Sequence, residues 1–484
     1  MLVSLYTSRV LLNVIGIKDY GLYNVVGGIV FIFAFLNTAM AAATQRFITF
    51  ELGISHTDKL KKIFSVSVVA HAVIVVVIVL LAETLGLWLL NSQIQIPEGR
   101  VTAAHWVFQF SVFSLCFDVL SVPYIASVIA HENMTLYALV NIIESLSRLV
   151  IIIALQYFYL DKLILFAALL FFAKVFIFII YKMVCVRKFD MCHYVFTLDK
   201  SIFFQLFSFT GWSLLGQMSV IAVNQGTNIL INIFHTVVVN ASMGIAGQVN
   251  TALNNLVSNF QTAFQPQITK SYANNDLEFM QLLICRSSKI SFYLLYIVSI
   301  PVMFNINEIL LWWLDIVPEY AIMFCILIIV CSLINSLSGP LWMSIFSTGK
   351  IKIYQIALSL IYLLDILLVY IFFKLGFSPI WAMIIKMAIN LVVLVARMCF
   401  AGRLVKHFSC VYFFKKSLLP ALFVVLSSLC IIYPIHAFYL KGNFCMNVLF
   451  SILVVAMSIY IFGIDKEERY IFKSMAKIKF SRQQ

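Results

Sequence analysis

The sequence predicts an all-α, polytopic membrane protein of about 14 transmembrane helices, with two six-helix lobes related by a parallel repeat and two further C-terminal helices. Three observations predict it. Hydrophobic residues make up 63% of the 484 and charged residues 11%, with 44 Phe and 21 Tyr, a balance no soluble domain tolerates. Apolar stretches of about 20 residues, enough to cross a hydrocarbon core about 30 Å thick, recur from end to end. The third is a weak internal repeat, described below.

In chain order the spans are expected at 1–15, 21–45, 63–90, 101–130, 134–158, 162–186, 203–234, 237–264, 284–306, 320–347, 351–373, 378–400, 417–438 and 446–463. Turn formers mark the connections, as in Asn91 to Gly99, His131 to Asn133, Gly376 to Pro379 and Lys441 to Asn443. Span 1 runs only from Met1 to Gly16, which points to a start upstream of Met1. A basic n-region and a small-residue cleavage site are missing, so no cleavable signal peptide is expected. The division reads as an N-terminal lobe over 1–200, a C-terminal lobe over 201–410, two added spans over 411–463 and a basic tail over 464–484.

The net charge of +13 resembles a nucleic-acid signal until the Lys and Arg are sorted by connection. Outside the spans only Lys18, Arg100, Lys162, Lys374 and Lys441 fall on one side, and all the others fall on the opposite side. The positive-inside rule then places both termini in the cytoplasm of a multi-pass protein and leaves no nucleic-acid partner. The basic tail, with Tyr470, Phe472, Met475 and Phe480 between its charges, is suited to that topology and to contact with anionic membrane lipid. The ten Cys and eight His show no metal-ligand spacing, so neither metal nor cofactor is expected.

Displacing the chain by 219 to 220 residues pairs Asn13 with Asn232, Gly28 with Gly247, Gln45 with Gln265, and Ile48-Thr49 with Ile268-Thr269. Spans 1 to 6 and 7 to 12 therefore read as two copies of one unit. An even number of helices per copy makes the symmetry axis run along the membrane normal, as in carriers built from parallel repeats.

Two polar stripes stand out. Span 8 carries Asn250, Asn254, Ser258, Gln261 and Gln265 in steps of 4, 4, 3 and 4, and span 7 carries Gln217, Asn224, Asn228 and Asn232 on one face. They suit a hydrated cavity wall; interhelical hydrogen bonding, worth about 0.6 kcal/mol per contact, is the competing use.

Arg9, Arg148, Lys174 and Lys386 lie within spans, where a central cation costs about 2.5 to 3.5 kcal/mol and faces a bundle interior or a water-filled path. They point to a membrane carrier for an anionic cargo. Glu144 and Arg148 have the i, i+4 order of a helical ion pair. Lys174 and Lys386 have no acid at helical spacing, and Asp118 and Asp365, also mid-span, are either their partners across helices or, with Glu144, sites for a coupling ion. Arg46 follows Thr44-Gln45 near a cytoplasmic end, and Arg397 sits where a long side chain can snorkel to the interface.

The run GLYNVVGGIVFIFAFLNTAMAAATQRFITFELG from Gly21 resembles the second span of bacterial polysaccharide and O-antigen flippases of the multidrug/oligosaccharidyl-lipid/polysaccharide (MOP) superfamily. NQGTNILINIF, NASMGIAGQVN and NFQTAFQPQITKSYANND are similar to their spans 7 and 8, as is LSGPLWMSIFSTGKIKIYQ from Leu337 to a later segment. The resemblance implies a MATE-like, two-lobed helical carrier, not an enzyme. It would flip an undecaprenyl-pyrophosphate-linked oligosaccharide, an O-antigen, capsule or exopolysaccharide repeat unit, across the bacterial inner membrane by alternating access. It also implies a monomer working beside glycan polymerase machinery. Arg9, Arg148, Lys174, Lys386 and Arg46 are then the candidates for a cationic cavity.

A cation-coupled drug or metabolite antiporter of the same superfamily would share the fold, and Asp118, Glu144 and Asp365 keep it open. A membrane polysaccharide polymerase or glycosyltransferase would need a catalytic platform outside the bilayer, and neither a long outer loop nor a D-x-D motif occurs. No G-x-x-x-x-G-K-[ST] motif offers direct ATP drive. The topology is checked by reporter fusions: those after Asn91 or Asn443 should read outside, those after Lys200 or Lys416 inside, and a reversed pattern would refute the architecture.

Overall fold

The computed structural model describes residues 2–54, 57–92, 96, 99–158, 160–195, 199–314, 317–438, 444–465 and 468. Side chains at 2–9, 12, 13, 17, 24, 29, 31, 32, 35, 57, 237, 437 and 438 lie outside that description. No strand occurs among the described residues. The helices are α1 (Leu2–Ile54), α2 (Thr57–Leu81), α3 (Leu87–Ser92), α4 (Val101–Ala130), α5 (Met134–Ala154), α6 (Lys162–Lys188), α7 (Lys200–Phe234) and α8 (Val237–Ala273). There follow α9 (Leu277–Phe304), α10 (Ile306–Leu314), α11 (Ala321–Ser347), α12 (Lys352–Lys374), α13 (Ile380–Leu404), α14 (Cys410–Phe413), α15 (Leu419–Phe438) and α16 (Phe444–Ser458).

Eleven helical stretches among the described residues are long and apolar enough to cross a bilayer, and they coincide with expected spans 3 to 7 and 9 to 14. Spans 1 and 2 lie in α1, which breaks at Gly16, where φ 82° and ψ 165° demand a residue without a Cβ. Span 8 is α8, a helix of 37 residues whose many amides lower its hydropathy. The protein is thus a multi-pass membrane protein. The chain forms two compact units, Met1–Gln217 and Met218–Gln484, with the division inside α7.

In the first unit α4 is central, packed by α1, α2 and α6. Its contact with α6 is an aromatic seam. Phe110, Phe113 and Phe117 of α4 lie 5.9, 6.3 and 5.8 Å from the Phe171 ring, and Phe117 and Tyr124 lie 5.5 and 5.9 Å from Phe178. Such ring pairs, four of the five edge-to-face, add about 0.5 to 1.5 kcal/mol each beyond burial and fix the register of the two helices. At the end expected to face outside, the Arg100 guanidinium holds two carboxylates from other connections, Asp19 and Asp161. Asp161 also caps α6, accepting from Leu163 N at 3.1 Å.

In the second unit α11 is central, packed by α8, α9 and α13. Buried Ser332, Ser336, Ser338, Ser344 and Ser347 keep its surface small, so its neighbours approach closely. At Gly339 a Cβ would collide with the Gln261 carboxamide of α8, so a larger residue here would displace that side chain. Helices α15 and α16 pack on α9, tied there by Tyr296 Oη to Ser428 Oγ (2.7 Å) and by Tyr293 Oη donating to Gly463 O (3.1 Å). Charge completes the junction: Lys289 of α9, almost fully buried, meets Glu468 at 2.7 Å, and Lys416 meets Asp465 at 3.0 Å. The rest of the basic tail lies outside the described residues.

Arg100→Ala should lower the melting temperature of the purified protein, because it leaves the buried Asp19 carboxylate without its counter-ion. The loss should be about 1 to 2 kcal/mol, the buried-pair cost discounted for the partly exposed guanidinium. Arg100→Lys should recover only part, since one ammonium does not reproduce a two-armed fork. Unchanged melting of Arg100→Ala would show that the clamp contributes nothing.

Candidate functional site

Within the second unit, five helices line a cavity of about 170 Å³. Helix α7 lends Asn224, α8 lends Asn250 and Asn254, and α11 lends Cys331 and Asn335; Tyr362 and Asp365 come from α12, Lys386 and Asn390 from α13. Helical spacing explains the grouping, since Asn250 and Asn254, and Lys386 and Asn390, are each one turn apart and share a face. Lys386 Nζ donates to Asn224 Oδ1 at 2.9 Å. Asn250 Oδ1 accepts from Asn254 Nδ2 at 3.0 Å and from Ser332 Oγ at 2.8 Å.

Two groups in this cavity are left over. Asp365 is 2% exposed, yet its Oδ1 has no hydrogen-bond partner; Asn390 is 6% exposed, and its Nδ2 has none. Buried polar atoms are nearly always satisfied, so such atoms mark a place where water or a ligand belongs. The chemistry on offer is a wall of amides able to donate and accept, with one cation and one anion.

The first unit carries a second cluster. Lys174 of α6 lies 2.8 Å from Asp118 of α4 and 2.7 Å from Glu144 of α5. Lys174 falls between Phe171 and Phe178, so the aromatic seam that sets the α4 and α6 register also brings the ammonium to Asp118. The expected i, i+4 pair of Glu144 with Arg148 does not form; Glu144 turns to Lys174 instead. The reason is energetic: a surface helical pair is worth about 0.3 to 0.5 kcal/mol, whereas a mid-membrane lysine without a carboxylate costs several times more. One ammonium between two carboxylates leaves this triad with formal charge −1, so Lys174 offers no free positive charge to a ligand.

Arg148 is exposed and makes no ion pair among the described residues. Its surroundings show what it faces. On α5, Leu139, Ile142, Leu146, Val150 and Ile153 are exposed at steps of 3, 4, 4 and 3, a single apolar stripe turned to lipid. Asn141, Glu144, Ser145 and Arg148 occupy the opposite side of the same helix. An exposed polar face inside a membrane-spanning helix meets water, not hydrocarbon.

The remaining candidates are placed differently. The Arg9 side chain lies outside the described residues. The Arg46 guanidinium rests over the Phe47 and Phe50 rings, at 4.8 and 4.5 Å. Of the span 8 stripe, Gln261 is spent on α11, donating to Ser336 O at 3.0 Å, and Gln265 lies outside the cavity lining. Gln217 and Asn228 of α7 do not line it either. Arg397 does not snorkel: its Nη1 donates to Ser338 Oγ at 2.7 Å and its Nε to the buried Tyr354 Oη at 3.2 Å. Sequence reasoning missed Asn335, Tyr362 and Asn390; the signal was the i, i+4 spacing of Asn390 from Lys386 and the i, i+3 spacing of Asp365 from Tyr362.

No protein-family model matches this chain, and no curated protein matches it. Solved structures do. A crystal structure of MATE in the straight conformation aligns at 14% identity with a TM-score of 0.72, covering 83% of this chain and 92% of that one. The Vibrio cholerae MATE transporter VcmN in the bent form aligns at 16% identity and 0.65, covering 84% and 93%. A MOP superfamily transporter from Pyrococcus furiosus, for which a binding pocket of reverse polarity is reported to suggest a different function, aligns at 14% and 0.68, covering 83% and 92%. At these identities the likeness shows the fold: the chain adopts the helical architecture of MATE transporters.

Proposed function

We propose that this protein is a flippase, a carrier that moves an undecaprenyl-pyrophosphate-linked oligosaccharide from the cytoplasmic to the outer leaflet of a bacterial inner membrane by alternating access. One observation carries the reading. Among the described residues, Arg148 on the polar face of α5 and Lys386 in the amide-lined cavity are cations within spans that have no carboxylate in ion-pair contact and, unlike Arg397, are not fixed by two hydrogen bonds to the protein. A cation held in a membrane at that cost is compensated by something, and an anionic cargo supplies the missing charge. Amides are the matching groups for sugar hydroxyls. The amide-lined cavity is a place for the polar head group of such a cargo. The rest of the cargo lies beyond it, and its polyprenyl tail stays in lipid.

A second reading rests on Asp118 and Glu144, whose side chains are 41% and 40% exposed and could receive an organic cation. That is the antiporter of the same superfamily. The identity of the lipid-linked glycan that accumulates inside cells lacking the chain separates the two. No accumulating glycan, together with heightened sensitivity to cationic drugs, would favour the antiporter.

Arg148→Ala and Lys386→Ala should each reduce glycan export at least tenfold, about 1.4 kcal/mol, while the protein remains in the membrane. Lys386→Arg should keep much of the export, since charge matters more than shape at a point contact. Lys174→Ala should instead reduce the amount of folded protein, because it leaves two carboxylates facing each other. Normal export by the Arg148→Ala, Lys386→Ala double variant would end the flippase reading.

A further inference from the structure

The cavity of the second unit holds a lysine and an aspartate that do not touch. Both line the same space, and Lys386 is the charged group that acts on Asp365. Yet Lys386 Nζ is bound to a neutral amide, Asn224 Oδ1 at 2.9 Å, and the buried Asp365 leaves Oδ1 unpartnered. The other lining groups from α7, α8, α11, α12 and α13 are amides, a thiol, a phenol and apolar side chains. No second cation or carboxylate is within the lining to relieve either charge.

This arrangement is poor for a static pair and suitable for an exchanging one. A lysine carries its point charge on a flexible four-carbon stem with three rotatable donors, so it can trade acceptors with little loss. When the cavity closes without cargo, a lone ammonium in low dielectric costs several kcal/mol, and a carboxylate at hand removes most of that cost. When cargo is present, its phosphate takes the ammonium, and Asp365 is left with the amides that share the cavity lining.

We propose that Asp365 is the stand-in counter-ion of Lys386, which passes between the anionic group of the cargo and this carboxylate as cargo arrives and leaves. Asp365 is on this account a positioning residue for the empty carrier rather than a contact of the cargo. The inference rests on the flippase reading for the identity of the anion; the pairing itself does not depend on it.

Two measurements test it. In vesicles reconstituted with the protein and undecaprenyl pyrophosphate bearing a fluorescent sugar, net transfer requires the empty carrier to return, whereas exchange against unlabelled lipid in both leaflets does not. Asp365→Asn should slow net transfer at least tenfold and exchange less than threefold, and Asp365→Glu should recover part of the net transfer. Equal losses in both modes, or no loss in either, would overturn the proposal. The second measurement needs no cargo. The Asp365→Asn, Lys386→Met double variant should melt several degrees above the Lys386→Met single variant, whose carboxylate has lost the cation of the cavity lining. Equal or lower melting of the double variant rejects the pairing. If the wild-type protein moves no labelled lipid in either mode, the flippase reading fails, and the melting comparison still decides whether the two charges pair.

Discussion

A charge inside a bilayer has no water to hold it, and this constraint orders the molecule. Each ionised side chain at depth must find a counter-charge in the protein, a ring of hydrogen-bond donors or acceptors, a hydrated face, or a ligand. The protein distributes its charges among these means. Lys174 is shared by Asp118 and Glu144, Arg397 is held by Ser338 and Tyr354, Arg148 stands on the polar side of α5, and Lys386 rests on a single amide. Only the last two leave charge available for something that is not protein.

Packing supplies the precision that the charges require. In the first unit, bulky rings interlock along α4 and α6, and the same register presents Lys174 to Asp118. In the second unit the means is the reverse: serines and Gly339 on α11 let α8 come close enough for Gln261 to reach a main-chain carbonyl. Rings hold one unit's central contact and small residues the other's. Close approach of α8 to α11 brings Asn250 against Ser332, which anchors one wall of the cavity.

The architecture was largely legible in the sequence because its signals are local. Apolar length depends on no distant residue. Where composition is ambiguous the structure is needed: α8 is too rich in amides to stand out as a span, and α1 fuses two spans at a glycine. The site was legible only in part. Asn224, Asn250 and Asn254 follow from helical periodicity, but what they face depends on which helices become neighbours. Glu144 shows the limit clearly, since its nearest opposite charge in sequence, Arg148, loses to Lys174 on another helix. Arg397 shows it too, because nothing near it in the sequence announces that Tyr354 and Ser338 will be there.

The contrast between Lys386 and Arg397, both of α13, says most about the cavity. Arg397 is fixed by two hydrogen bonds from different nitrogens of a planar fork, a geometry that resists rearrangement. Lys386, three turns earlier, has one bond to one amide, and its natural counter-charge stays in the same cavity but out of contact. A fold that can immobilise a guanidinium in this helix has left the ammonium loosely held. Loose retention is a poor way to stabilise a structure and a reasonable way to bind an anion and release it again. The proposed exchange at Lys386, beside a fixed Arg397, follows from the chemistry of the two head groups: a flexible point charge in one case and a planar fork in the other.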